Sequence, residues 1–222
     1  MELSMIFQDR TEAGKKLGQT LRIQKIDRPI LVALPRGGLP VAAAASEVTG
    51  WPLAVFVSRK LRCPWQPELA FGAVTENGPP YFNAPLMKRL GLDAETRNNE
   101  VAIQRLECAR RRELFKDCLT PAGDLGFTPI IVDDGIATGA TMIAAVQAMK
   151  AAGFKRVLCA APVSSLEGGG EIDASCDGLV TLDRPPVFIS VGQFYVHFPQ
   201  LSDDEAVAIC KQSNRCFKPD SQ

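Results

Sequence analysis

The sequence predicts an α/β fold, a mainly parallel open sheet flanked by helices. Three observations carry that expectation. Short continuous apolar runs read as strands covered on both faces, helical segments separate them, and glycines stand just past the ends of those helices. From Glu12 to Lys25, Ala13, Leu17 and Leu21 recur four residues apart and predict a first amphipathic helix. Pro29 opens the apolar run Ile30–Leu34, a first strand, and Pro35-Arg36-Gly37-Gly38 turns into an alanine-rich helix from Leu39 to Val48, ended by Gly50. Leu53–Val57 is a second strand. The stretch Ser58–Gly72, with Cys63-Pro64-Trp65-Gln66-Pro67 inside it, holds too many breakers for regular structure and reads as a long loop, a functional lid or a disordered segment. Ala70–Val74 and Pro80–Phe82 form a hairpin around Thr75-Glu76-Asn77-Gly78, and Asp93 caps a long polar helix ending near Asp117. Ile130–Val132, Val157–Val163 and Leu179–Leu182 are further strands, with a helix over Ala140–Ala152 ended by Gly153. Ser202-Asp203-Asp204-Glu205 is a capping box for a last helix to about Cys210. Gly168-Gly169-Gly170 is too short to separate domains.

The 222 residues, 46% hydrophobic and 23% charged, suit one domain over 1–222. Lys plus Arg and Asp plus Glu each total 25, so no net positive field draws nucleic acid. The seven cysteines, Cys63, Cys108, Cys118, Cys159, Cys176, Cys210 and Cys216, include no Cys-x-x-Cys pair, and His197 is the only histidine. That pattern favours reduced thiols in a cytoplasm over a zinc site or a disulfide framework. Met1–Phe7 has no basic flank with an apolar core, and no run reaches the ~18 apolar residues of a membrane span.

The chemistry concentrates in Ile130-Ile131-Val132-Asp133-Asp134-Gly135-Ile136-Ala137-Thr138-Gly139-Ala140-Thr141. Ligands in open parallel sheets sit beyond the carboxyl ends of the strands. Adjacent carboxylates there disfavour each other's ionisation and are useful when they accept from hydroxyls or face a metal. The following loop ends at a helix N-terminus, whose free amides attract phosphate, with Thr138 and Thr141 adding hydroxyls. Diol acceptors beside an anion cradle describe a site for a ribose 5-phosphate group. An isolated Asp-Asp turn is ordinarily a solvated cap, and this strand also imitates the acidic strand of a P-loop NTPase. That alternative needs a Gly-x-x-x-x-Gly-Lys-Ser/Thr loop, which the sequence lacks.

Ile131 to Thr141 resembles the signature of the type I phosphoribosyltransferases, which bind 5-phosphoribosyl 1-diphosphate (PRPP). Over almost its whole length the chain is similar to bacterial phosphoribosyltransferases of unassigned substrate. That similarity runs through Phe7-Gln8-Asp9-Arg10, Leu34 to Val41, Arg59-Lys60-Leu61, Pro67 to Ala70 and Gly72-Ala73-Val74. The resemblance implies a core of about 27–183 and a small hood made from the terminal segments, Phe7–Arg10 and Phe188–Gln200. It implies that Asp133 and Asp134 hold the ribose hydroxyls. The amides of Gly135, Ile136, Ala137, Thr138, Gly139, Ala140 and Thr141 would bind the 5-phosphate, and Arg36 with Gly37 the diphosphate. Arg36 beside two glycines at a strand end is an anion site on its own chemistry as well. Arg59 and Lys60 begin the segment that closes as a flexible loop, catalytic through stabilisation of the departing diphosphate. Mg2+ would bridge diphosphate oxygens, held by substrate and water.

Phe188 and Tyr195 loosely match the aromatic that purine-using relatives place over the base. Their lysine on the strand after the phosphate helix has no counterpart in Leu158–Pro162, which argues against hypoxanthine or guanine. The implied reaction transfers phosphoribosyl from PRPP to a nitrogenous acceptor. A non-catalytic PRPP or nucleotide sensor on the same fold, and the reverse, cleaving direction, are the alternatives, and the surface leaves room for a homodimer. Elsewhere the plainer reading is preferred. Arg110, Arg111 and Arg112 read as a solvated helix face, Trp65 as a gate or a surface residue, and Cys63 as incidental. His197, the one histidine, is a side chain of the type used as a general base, but spacing gives it no support.

Overall fold

Asp9 opens the regular structure of the computed structural model, which describes residues 5–75, 78–120 and 126–213. Met1–Ser4, the turn residues Glu76 and Asn77, and Cys216 lie outside the described residues. The Asp9 carboxylate accepts the Glu12 N–H at 2.8 Å and caps α1 (Arg10–Arg22), two residues ahead of the apolar spacing, burying Ala13, Leu17 and Leu21. Next come β1 (Pro29–Ala33), α2 (Gly38–Thr49), closed at Gly50, and β2 (Leu53–Val55).

The expected loop Ser58–Gly72 is instead regular. β3 (Ser58–Cys63) and β4 (Gln66–Thr75) pair antiparallel from Ser58 opposite Thr75 to Cys63 opposite Gln66, and Pro64-Trp65 makes the turn. The breakers are confined to that turn and the strand beginning after it. Ahead of them Leu61 and Cys63 are buried while Lys60 and Arg62 are exposed, a two-residue alternation that charged residues made hard to read as a strand. Register shifts on either side of Arg62 accommodate the rest. β5 (Tyr81–Phe82) completes the expected hairpin with β4.

Two helices escaped the apolar periodicity. Asn83 accepts the Leu86 N–H at 3.0 Å and starts the short α3 (Ala84–Leu90). The long polar helix α4 (Ala94–Leu114) follows, capped by Asp93 as expected. β6 (Thr128–Val132), α5 (Ala140–Ala151) and β7 (Leu158–Val163) lie where the sequence puts them. Ser165 then caps α6 (Leu166–Asp173), in which the triple glycine is helical. β8 (Leu179–Asp183) and α7 (Asp203–Gln212) close the order, the latter with both halves of its capping box formed.

The main sheet has the order β2-β1-β6-β7-β8, parallel throughout, and β3-β4-β5 form a separate antiparallel sheet packed on α4 and α5. Alternate residues of the central strands feed two cores. Leu31, Ala33, Ile130 and Val132 join Leu17, Leu21 and Leu39 on the α1 and α2 side, while Ile30, Val32 and Ile131 join Ile143, Val146 and Met149 of α5 on the other. These strands are therefore apolar on both faces, as their continuous runs require. Among the described residues no helix is long and apolar enough to cross a membrane. Cys63, Cys159 and Cys176 are free thiols, but Cys118 is disulfide-bonded. A count of thiols does not say which of them the fold brings together, so the all-reduced expectation does not hold there.

Residues from both ends of the fold meet over the carboxyl ends of the strands. The Phe7 N–H donates to Phe194 O at 2.8 Å, Val196 N–H to Phe7 O at 2.8 Å and His197 N–H to Gln8 O at 2.9 Å. Phe7, fully buried, packs with Phe194, Tyr195 and Ala13 in a small core of its own. Phe7→Ala is expected to remove about 3–5 kcal/mol of packing from this strap. Hydrogen exchange should show lost protection at the Val196 and His197 amides with the Ile130–Val132 amides still protected; uniform loss across both would show that the strap and the sheet unfold as one unit.

Candidate functional site

Two adjacent carboxylates end the central strand of the sheet, and their surroundings are built around them. Asp133 accepts the Asp134 N–H at 2.9 Å and has no ion-pair partner among the described residues. Asp134 receives the Arg10 Nε–H at 2.8 Å on Oδ2, and its backbone carbonyl accepts the Tyr195 hydroxyl at 2.6 Å. Burial pushes the Asp133 carboxyl up to about 8, and the Asp134 charge adds to the push. Burial raises Asp134 as well, but the Arg10 charge and hydrogen bond oppose it. Of the two, Asp133, with no ion-pair partner among the described residues, holds its proton the more readily, while the Arg10 guanidinium opposes the rise at Asp134. Gly37 makes room for this: a Cβ there would overlap the Asp134 carboxylate.

Two helix N-termini flank the pair. Gly139, at φ 71°, is the residue before α5 and supplies no side-chain cap, so the first amides of α5 are left for an outside acceptor. Among the described residues nothing accepts from the amides of Ala137 to Thr141. Ile136 is different. Its N–H donates to Val163 O at 2.9 Å, so of the expected phosphate-binding amides this one is spent on the adjoining strand end. The loop is also anchored through Ser165, whose N–H donates to Ile136 O at 2.8 Å and whose hydroxyl donates to Ala137 O at 2.5 Å. On the other side, α2 also starts without a side-chain cap, after the Arg36–Gly37 turn.

A cavity of about 590 Å³ opens between these elements. Asp133, Asp134, Thr141, Arg36 and Gly37 line it from the sheet side, Arg59, Lys60 and Arg62 from β3, and Arg111 from α4. Arg10, Val191, Phe198 and Gln200 line it from the terminal segments. Six cations therefore face two carboxylates. Arg59 donates to Gln104 Oε1 at 3.1 Å, and burial followed by the nearby Arg111 charge holds its pKa below the ordinary arginine value. Asp203, at the start of α7, lies 3.8 Å from both Arg36 and Arg111 and joins two of the cavity cations to one carboxylate.

The structure thus brings Asp133, Asp134, Arg36, Gly37, Arg59, Lys60 and Thr141 to one cavity, while Thr138 is exposed on the loop beside it. It does not bring Phe188 or Tyr195 there. Both pack inside the hood, Phe188 on Phe194 at 5.1 Å between ring centroids and Tyr195 between Phe7 and Phe198; the aromatic that lines the cavity is Phe198. His197 is exposed and off the cavity, Trp65 stands 59% exposed at the hairpin turn, and Cys63 is buried. Arg111 corrects the reading of a solvated helix face. It is only 9% exposed, donates to Glu107 Oε1 at 2.9 Å and lines the cavity, because α4 turns this one arginine of its run toward the sheet. Arg62 and Arg111 were missed as site residues; Arg10, Phe198 and Gln200 were expected only as parts of the hood segments Phe7–Arg10 and Phe188–Gln200, and the pairing of Arg10 with Asp134 across 124 positions leaves no local signal.

The pattern of the phosphoribosyl transferase domain matches residues 7–198. Two Mycobacterium tuberculosis proteins, of strains CDC 1551 and H37Rv, both provisionally named as phosphoribosyl transferases, are 39% identical to the chain over 212 residues. The match takes in 96% of this chain and 48% of each of those proteins, so the chain spans about half the length of the curated relatives it matches. The crystal structure of TT1426 from Thermus thermophilus is 34% identical and superposes with a TM-score of 0.76, covering 92% of this chain and 97% of that one.

Gly37→Ala is expected to leave the fold standing and to displace the Asp134 carboxylate, weakening binding of a phosphosugar anion at least about tenfold; unchanged affinity would show that Asp134 is not a contact. A second expectation concerns pH. Because the folded chain holds the Asp133 proton up to about 8, that stability is complete below the unfolded value near 4 and is lost as pH rises toward 8. Thermal unfolding of Asp133→Asn should accordingly exceed wild type at pH 8 by roughly 2–4 °C for each kcal/mol regained, with the gap closing at pH 5. A gap that widens on acidification would reverse the assigned direction.

Proposed function

The chain belongs to the phosphoribosyl transferase domain family, and from that premise we propose that it transfers a 5-phosphoribosyl group from PRPP to a nitrogenous acceptor, releasing diphosphate with the help of Mg2+. One observation carries the proposal. Paired carboxylates, Thr141 at the uncapped start of α5, and a set of cations line one cavity. Those are the kinds of acceptor and donor that the diol, the 5-phosphate and the diphosphate of one PRPP molecule need.

In this reading Asp133 and Asp134 accept the ribose hydroxyls and fix the ring. The amides of Ala137 to Thr141, with the Thr141 hydroxyl, hold the 5-phosphate on the α5 dipole. Arg36 and Gly37, backed by Arg111 and Arg62, hold the diphosphate. The C1–O bond to diphosphate breaks, its electron pair leaves with the diphosphate, and the acceptor nitrogen closes a new bond to C1. The acceptor's N–H proton passes to the departing diphosphate or to water. Lys60 and Arg59 are the catalytic cations, stabilising charge that grows on the leaving oxygen.

The cavity's donor set fits the metal. Two carboxylates face it, and no group of three or more His, Cys, Asp or Glu stands ready to ligate among the described residues. A magnesium ion that keeps substrate oxygens and water as most of its ligands needs no more than that. When bound, Mg2+ would neutralise part of the diphosphate charge.

Calorimetric titration with PRPP and Mg2+ tests the reading, with Asp133→Asn as control. Saturable binding that the variant weakens by at least about tenfold is expected. No binding by the folded wild-type chain would remove the phosphoribosyl assignment and leave only the fold. Binding without diphosphate release across a panel of amines would turn the reading to a PRPP sensor.

A further inference from the structure

We infer that the acceptor carries a negative charge next to its reactive nitrogen, as a carboxylated heterocycle or amine does, and that Arg10 selects it; the inference rests on the phosphoribosyl reading above. Arg10 is held on three sides. Nε–H donates to Asp134 at 2.8 Å, Nη1–H donates to Pro199 O at 2.8 Å, and the guanidinium lies 3.7 Å above the centroid of the Phe198 ring. The remaining nitrogen, Nη2, donates to no described residue and is not shut off in the interior, while Arg10 itself lines the cavity. An arginine fixed through two nitrogens and one face, with its third nitrogen unpaired among the described residues and its side chain lining a cavity, is a preorganised anion donor. Its bond to Asp134 puts that donor beside the carboxylates assigned to the ribose hydroxyls, where an acceptor must lie to reach the sugar.

The same wall is poorly made for a neutral nucleobase. Among the described lining residues Phe198 is the aromatic, yet Arg10 lies 3.7 Å over its ring and Tyr195 packs on it with ring centroids 4.8 Å apart. Stacking, the usual way of holding a flat uncharged base, therefore meets an aromatic already engaged by two side chains. Charge points the same way. Arg36, Arg59, Lys60, Arg62 and Arg111 are available to the diphosphate, which leaves Arg10 as the cation on the hood side.

The test uses matched probes that differ by one carboxylate: nicotinate against nicotinamide, and orotate against uracil. Diphosphate release is measured with PRPP and Mg2+. In at least one pair the acid should lead in kcat/KM by at least about tenfold, the range of a hydrogen bond to a charged group. Arg10→Gln should bring that ratio to within about threefold of unity, and Arg10→Lys should keep part of it. The ratio cancels any loss of ribose binding, since both members of a pair share it. Equal or better use of the neutral members in both pairs, release with none of the four, or a ratio unmoved in Arg10→Gln would each overturn the inference. PRPP binding, read separately by calorimetry, tells the failures apart. Its absence removes the phosphoribosyl reading itself, whereas its presence with a neutral preference removes only the anionic acceptor.

Discussion

Two neighbouring carboxyl groups half-buried at the end of a strand ionise together only at a cost unless something nearby compensates them, and much of this structure is arranged around that fact. One proton on Asp133 and one guanidinium on Asp134 resolve the conflict. The resolution comes from far along the chain. Arg10 and Tyr195 converge on Asp134 from opposite ends of the sequence, one on its carboxylate and the other on its carbonyl. Replacing Arg10 with an uncharged residue would strand a buried charge, so the hood is tied to the sheet electrostatically as well as by packing.

The sheet order explains why anion sites flank the pair. β1 and β6 are neighbours in a parallel sheet, so the turns that follow them, and the helix N-termini those turns feed, emerge side by side. The Leu34 N–H donates to Val132 O at 2.9 Å and carries the register one step past the strand, bringing Gly37 against Asp134. Neither helix is capped by its own side chains. Among the described α-helices, Asp9, Asn83, Asp93, Ser165 and Ser202 cap five, and the two that start bare, α2 and α5, both start at the cavity.

How much of this the sequence discloses depends on distance along the chain. The parallel core was legible because its central strands are apolar on both faces and the turns after β1 and β6 hold glycines. The Asp133–Thr141 turn was legible because acid pair, loop and helix start are consecutive. The β3–β4 hairpin was not: its outward residues are charged, and proline and tryptophan sit at its turn, so the alternation of Leu61 and Cys63 is masked. Arg111 was hidden for a different reason, since three arginines in succession look alike and only the packing of α4 turns one of them inward. Phe198 and Arg10 become site residues only when the hood closes, and no pattern within a window joins them.

The meeting of Phe7 with Phe194 sets an order of events during synthesis. A ribosome adds roughly 5–20 residues per second, so on the order of ten to forty seconds separate the emergence of the two partners. Through that interval the alternating strands and helices of the centre can assemble from contacts nearer in sequence, while the first helix holds an arginine whose carboxylate arrives only with β6. The cavity wall comes last. A nascent chain therefore holds the residues of the sheet before it holds those of the pocket wall, and a chain halted before Phe194 lacks that wall.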